Sequence, residues 1–228
     1  MSSTRQIADA LNQVARDAGS RSGLDDVLST LTHGAVEAFP DIDHAGISVT
    51  HKGGRIETLA ATHDIVLELD RVQYSHREGP CYDSITDEPV VMTEYARHEQ
   101  RWPHYIPAAA RKGLRSQLGL RLYTDDRTMG GLNLYSTSTD TISDETVALA
   151  EVFAAYATAA LQRARTEEDM ASALSTRQVI GQATGITMER YGLDETKAFA
   201  YLLRASSTTN IKLRDLARTM VDGGGTPS

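Results

Sequence analysis

The chain has 228 residues, 40% of them hydrophobic and 24% charged, which suits one large domain or two small ones in an ordinary folded protein. A formal net charge of −8 argues against nucleic-acid binding over the whole surface, yet Ser172 to Asp222 holds seven Lys/Arg and five Asp/Glu, leaving that stretch at +2 and the remainder at −10. No apolar run reaches a membrane span, Met1 to Ala10 lacks the pattern of a signal peptide, and the single cysteine, Cys81, excludes an intrachain disulfide framework, so a cytoplasmic protein without a membrane partner is expected.

Ile7, Leu11, Val14 and Ala18 recur at helical spacing, which predicts an amphipathic helix over residues 4–18, broken by Gly19 and Gly23. Ser22, with Asp25 three residues on, is the expected cap of a second helix that buries Leu24, Val27, Leu28, Leu31, Val36 and Phe39. Ala45, Ile47 and Val49 then alternate, Lys52-Gly53-Gly54 turns, and Ile56, Leu59 and Ala61 return, giving a hairpin. Ile65 to Tyr74 and the piece after Gly79-Pro80 read as short helices. Pro89 to Met92 reads as a buried strand, and Trp102 to Lys112 as a helix with a proline in its first turn. Arg115 to Tyr123 and Met129 to Ser136 form a second hairpin around Thr124-Asp125-Asp126-Arg127. Gly130-Gly131 marks a close backbone approach or a bulge.

This order gives an α+β fold with a central antiparallel sheet. It resembles a GAF domain, carried by Glu78-Gly79-Pro80-Cys81, by Gly113-Leu114-Arg115-Ser116-Gln117-Leu118-Gly119-Leu120 and by Gly130-Gly131-Leu132-Asn133-Leu134-Tyr135-Ser136. The resemblance assigns residues 20–142 to a sensor or dimerisation module and implies a small-molecule pocket beside the sheet, with Cys81, Trp102, Tyr105, Leu120 and Asn133 as candidate lining. The signature of cyclic-nucleotide-binding members is absent, and the histidines have no metal-ligand spacing, so neither a cofactor nor a metal is expected. Two readings fit Cys81. It is either a thiol activated at the start of a helix or a small buried core residue. Some GAF proteins are free methionine sulfoxide reductases, whose chemistry uses several cysteines; one cysteine cannot form the intramolecular disulfide. His76, His98 and His104 are either pocket-flanking or solvated, and Trp102 and Tyr105 either pocket wall or core anchors.

Ser143 caps a long helix with Asp144 and Glu145 in its first turn. Val147, Ala150, Phe153, Ala154, Ala157, Ala160, Leu161 and Ala164 form an alanine-rich stripe suited to close helix packing. Residues 143–171 are therefore expected to be a coiled-coil-like linker through which two copies associate as a homodimer.

Three further helices are readable in residues 172–222, followed by a flexible tail over 223–228. The first carries Leu174, Ile180, Ala183 and Met188 and ends at Tyr191-Gly192. The second starts at Asp194, carries Ala198, Phe199, Leu202 and Leu203, and ends at Ala205-Ser206. The third starts at the cap pair Thr209-Asn210 and carries Leu213, Leu216, Ala217 and Met220. Gly181 and Gly185 lie one turn apart inside a helix, where each costs about 1 kcal/mol relative to alanine, so something approaches closely there: another helix or an RNA backbone.

The module resembles the ANTAR domain. The resemblance rests on Arg177, Ile180, Gly181, Gln182, Ala183, Gly185 and Met188 in its first helix, on Ala198, Phe199, Leu202, Arg204 and Ser206, and on Asn210, Lys212, Leu213 and Ala217. One departure is Thr184, where the family commonly has lysine. The resemblance implies binding to paired RNA hairpins and control of transcription termination. Arg177, Gln182, Thr184, Gly185, Arg204, Ser206, Asn210, Lys212 and Arg214 are the candidate RNA contacts, and Tyr191 and Tyr201 stack on bases or serve the fold. A signal-responsive, non-enzymatic antiterminator is the expectation. A DNA-binding regulator and a redox or small-molecule protein centred on Cys81 are the alternatives.

Overall fold

The computed structural model describes residues 23–124 and 127–223 and divides into two compact units, Met1–Ala164 and Arg165–Ser228. The helix expected over residues 4–18, the turn residues Asp125-Asp126 and all of the tail beyond Gly223 lie outside the described residues.

In the first unit, α1 (Leu24–Ala38) leads into the hairpin β1 (His44–Thr50) and β2 (Ile56–Ala61). Its turn holds Gly53 and Gly54 at φ of 88° and 81°, which favours glycine at both positions. Helices α2 (Asp64–His76) and α3 (Pro80–Thr86) follow, then β3 (Val90–Thr93), a 3₁₀ turn at Ala96–His98 and α4 (Tyr105–Arg111). The long strands β4 (Ser116–Thr124) and β5 (Arg127–Ser136) complete a fully antiparallel sheet in the order β2-β1-β5-β4-β3. The order places the closing strand β5 at the centre, so its residues contact both flanks.

Period-two alternation gives the sheet two unlike faces. Ala45, Ile47 and Val49 of β1, Leu118, Leu120 and Leu122 of β4, and Leu132 and Leu134 of β5 face an aliphatic layer. Phe39 with α1, and Phe153, Ala157 and Leu161 with the first half of α5 (Asp144–Tyr191), close that layer. Phe39 and Phe153 meet edge to face at 5.1 Å. Gly46, Ser48, Gln117, Gly119, Asn133 and Tyr135 look the other way, toward α2, α3 and α4. Glycine is required where the sheet is approached most closely. A methyl at Gly119 would lie 2.5 Å from the Pro80 carbonyl oxygen, and one at Gly130 would lie 1.8 Å from that of Ser48.

The turn between α1 and β1 is tied to α5 by the Asp41 carboxylate. Asp41 accepts from the backbone N–H of Ser143 (3.0 Å) and from the hydroxyls of Ser143 (2.6 Å) and Thr146 (2.9 Å), while Ser143 Oγ accepts from Thr146 N–H, the expected cap. Burial raises the Asp41 carboxyl, but these hydrogen bonds outweigh it and hold the group below its ordinary value.

Two details of this unit differ from expectation. The cap of α1 is Gly23, with no side-chain hydrogen bond, and α4 begins at Tyr105, leaving Trp102 and Pro103 ahead of it.

The second unit contains the end of α5, α6 (Glu195–Thr209) and α7 (Leu213–Val221). α5 runs unbroken past residue 171 to Tyr191, and Gly192 turns the chain at φ 64°. Asp194 caps α6 by accepting from Lys197 N–H at 2.8 Å. The small core is Ala183, Leu202, Ala217 and Met220 with Val179, Ile180, Ile186 and Leu213 around it. Leu174, Phe199 and Leu203, expected inside, are 67%, 40% and 45% exposed. The boundary between the last two helices also shifts. Thr209 is the last residue of α6, its hydroxyl bonded back to the Ala205 carbonyl, and Asn210 is the left-handed C-cap at φ 55°. Lys212 occupies the N-cap of α7 without a side-chain hydrogen bond.

Candidate functional site

On the polar face of the sheet the side chains of α2, α3 and α4 close into one hydrogen-bonded cluster. Asp70 lies at its centre. The Thr58 hydroxyl donates to it at 2.7 Å, Gln73 Nε2 donates at 3.3 Å, and the Tyr135 hydroxyl donates to it as well. Gln73 Oε1 accepts from Cys81 N–H at 2.9 Å and from Gln117 Nε2 at 3.4 Å, and the Tyr105 hydroxyl donates to Gln117. Ser48 Oγ lies 2.5 Å from the Tyr74 hydroxyl and accepts from Asn133 Nδ2 at 3.3 Å. Among the described residues Asn133 Oδ1 is buried without a hydrogen-bond partner.

Among the described residues no cation joins this cluster, and burial dominates its electrostatics. It pushes the Asp70 carboxyl up to about 6 despite the hydrogen bonds from Tyr135 and Thr58. Burial also raises the hydroxyls of Tyr74, Tyr105 and Tyr135 well above their ordinary range.

Cys81 belongs to the same cluster, fully buried, 3.5 Å from the Tyr74 hydroxyl. Burial, then the neighbouring Asp70 charge, raises its thiol far above the ordinary value. Burial of the sulfur and the raised thiol both disfavour the thiolate, which is the reactive form. The activated-thiol reading is thus replaced by the buried one.

The five candidate lining residues separate. Cys81, Tyr105 and Asn133 meet in the polar cluster. Trp102 is buried beside it, its Nε1 donating to Asp83 at 2.8 Å. Leu120 points to the opposite face, into the aliphatic layer, because strand alternation puts it out of phase with Gly119. His76 and His104 stack at 4.9 Å on the surface, where His104 Nδ1 lies 2.6 Å from Glu78; that carboxylate also accepts from the backbone N–H of His104 and Tyr105, capping α4. His98 is exposed elsewhere, in the 3₁₀ turn.

Asp70, Gln73, Tyr74 and Ser48 were not anticipated. Their signal is weak in sequence, since a polar residue alternating with an apolar one normally faces water. Three strands that place Gly, Ser, Asn or Gln at every second position were the available clue.

In the second unit, Arg177, Gly181, Thr184 and Gly185 share one side of α5 and line a groove of about 440 Å³ with Phe199 of α6. Gln182, Arg204, Ser206, Asn210, Lys212 and Arg214 do not line it. Arg177, Arg204 and Lys212 are exposed and form no ion pair among the described residues, whereas Arg214 lies 3.3 Å from Asp215. Three candidates have structural roles. Thr184 is buried at the base of the groove and its hydroxyl donates to the Ile180 carbonyl at 2.8 Å. Ser206 Oγ donates to the Ile211 carbonyl at 2.6 Å, and Asn210 holds the left-handed turn between α6 and α7. Tyr191 and Tyr201 pack against each other at 5.1 Å.

The GAF domain model matches residues 22–162, more than half of the chain, and the ANTAR domain model matches residues 168–221. The chain belongs to the GAF family and carries a C-terminal ANTAR domain. Solved structures agree on the GAF fold. The GAF domain of a phosphoenolpyruvate-protein phosphotransferase from Coxiella burnetii is similar with TM-score 0.58 and 17% identity, covering 74% of this chain and 99% of that one. A type II free methionine-R-sulfoxide reductase from Thermoplasma acidophilum gives 0.51 and 14%, covering 61% and 93%. The photosensory core module of a Stigmatella aurantiaca phytochrome gives 0.58 and 14%, covering 92% of this chain and 45% of that one. No curated protein matches the sequence. GAF and ANTAR domains are regulatory modules, and no described helix is long and apolar enough to cross a membrane.

Proposed function

We propose that the chain is a cytoplasmic, signal-responsive RNA-binding regulator that prevents transcription termination. The GAF domain receives the signal, or supports dimerisation, and the ANTAR domain binds RNA hairpins. The observation carrying this reading is the ANTAR match over residues 168–221, on a module whose Arg177, Arg204 and Lys212 are exposed and without an ion pair among the described residues. Such cations supply the phosphate contacts on which RNA affinity rests, and loop bases present edges to donors such as Gln182. Thr184, Ser206 and Asn210 support the fold of the interface, and the cations do the binding. Two copies joined along α5 engage two hairpins, so affinity gains from the linkage.

The test is binding of the purified protein to a dual-hairpin RNA, its scrambled unpaired version and duplex DNA across salt concentrations. The expected outcome is a preference for the hairpins that weakens with salt and falls about tenfold in Arg177→Ala and in Lys212→Ala. Preference for duplex DNA would move the protein to the DNA-binding class. Equal binding to all three nucleic acids would sink the hairpin reading.

A further inference from the structure

The groove of the ANTAR domain has features that internal packing does not account for. Gly181 and Gly185 are exposed, and a methyl built on either would meet no atom within 4 Å. They contrast with Gly119 and Gly130, where the fold leaves no room for a side chain. The helix therefore tolerates two poor helix formers without an internal reason for them.

The groove above them holds about 440 Å³, within the range of small-ligand sites. Its chemistry is mixed. Phe199 is 40% exposed, Met188 is half-buried, and Arg177 and Glu195 line it with no partner among the described residues. An apolar helix face seated here would have to bury an unpaired guanidinium and an unpaired carboxylate, which disfavours it. A nucleotide satisfies both, because its phosphate is an anion for Arg177 and an exocyclic amine is a donor for Glu195.

We propose that this groove is a slot for one unstacked, amino-bearing base of an RNA loop. The inference rests on the RNA-binding reading above and specifies how a loop is read. The base stacks on Phe199, and its sugar and backbone pass over Gly181 and Gly185, where a side chain would obstruct them. Glu195 accepts from the exocyclic amine, which disfavours uracil, and Arg177 holds the flanking phosphate. Phe199 is then the stacking partner, and the paired tyrosines 191 and 201 are not.

The experiment uses the full chain and a dual-hairpin RNA carrying 2-aminopurine at one loop position at a time. Fluorescence, affinity and thermal stability are measured for wild type, Phe199→Leu, Gly181→Ala, Gly185→Ala and Glu195→Gln. One loop position should be quenched by wild type and lose that quenching in Phe199→Leu, with affinity reduced roughly tenfold or more. The alanine variants should also bind at least tenfold more weakly while melting no lower than wild type, which separates obstruction from unfolding. Uridine at the quenched position should weaken wild type and leave Glu195→Gln little changed. Hairpin affinity lost in Arg204→Ala and Lys212→Ala but unchanged in the glycine and Phe199 variants would overturn the slot and leave RNA binding intact. Altered oligomeric state with unchanged RNA affinity in the glycine variants would overturn it in favour of a protein–protein seam. Failure of wild type to bind any hairpin would end both readings.

Discussion

Asp70 is the residue whose chemistry is least at home in its surroundings. It is a carboxyl fully buried among hydroxyls and amides, with no cation among the described residues to offset its charge. Burial raises its folded value from 3.8 to about 6. The fold thus favours the protonated form, and Asp70's contribution to stability is fully present below about 4 and lost as pH rises through about 6. The loss is on the order of 3 kcal/mol. Asp41, Asp43 and Glu99 act in the opposite direction. Their values are lowered, Glu99 to about 2 chiefly by its hydrogen bond with Arg101, so their stabilisation is lost in acid. Whole-protein stability is a sum of both, and a variant isolates one. Asp70→Asn keeps the shape and removes the titration. Denaturant unfolding at pH 4.5 and 7.5 should show wild type losing stability relative to the variant by about 2 kcal/mol over that interval, the rest of the loss falling below pH 4.5. Parallel pH profiles for the two proteins would mean that Asp70 binds its proton equally in the folded and unfolded states, so that burial does not raise its value.

Elements differ in what their glycines do, and the difference is measurable. Gly130 sits where β5 crosses β1, with the Ser48 carbonyl oxygen in the space a methyl would occupy, so Gly130→Ala must push the two central strands apart. A cost of about 1–3 kcal/mol is expected, read as a lower denaturation midpoint of the GAF unit. Gly181→Ala meets open space inside α5 and should raise helix stability by about 0.5–1 kcal/mol, read as a higher melting temperature by circular dichroism. If both variants moved in the same direction, the packing contrast would be wrong. Elements are also the scale at which the sequence is most legible. Alternation at Ala45, Ile47 and Val49, the paired glycines at 53 and 54, the Ser143 start and the Gly192 stop each act within a few residues of themselves. Pairings across the chain leave no such local trace. Asp70 meets Tyr135 across 65 positions, and Asn133 meets Ser48 across 85. The α6–α7 turn was misplaced because Thr209 and Asn210 suit both a helix start and a helix end, and only the chain's path through φ 55° at Asn210 decides between them.

For the molecule as a whole, the question is how two modules in one chain act as one regulator. α5 belongs to both units, running from Asp144 to Tyr191 without a break. The alanine-rich stripe expected to pack two helices together is spent on the GAF core, where Ala150, Phe153, Ala154, Ala157 and Leu161 are buried against the sheet, while Val152 and Tyr156 remain 39% exposed, with Ala159 exposed beyond them. Residues 152, 156 and 159 have the four-then-three spacing of a helix–helix seam, and the proposed homodimer would form along it. This makes a prediction about binding as well as assembly. Wild type should be a dimer by light scattering at micromolar concentration, and Tyr156→Glu a monomer, because a buried charge without a partner disfavours the seam. The monomer should bind a single hairpin as wild type does, since its ANTAR domain is unaltered. It should lose the added affinity that two linked modules give on a dual-hairpin RNA, a factor of about 10² or more when the hairpin spacing matches the dimer. If Tyr156→Glu is monomeric yet keeps wild-type affinity for both RNAs, the two hairpins are not read by two copies, and dimerisation serves another purpose. If wild type is itself monomeric, the exposed stripe on α5 is left for a different partner, and each ANTAR domain reads its RNA alone.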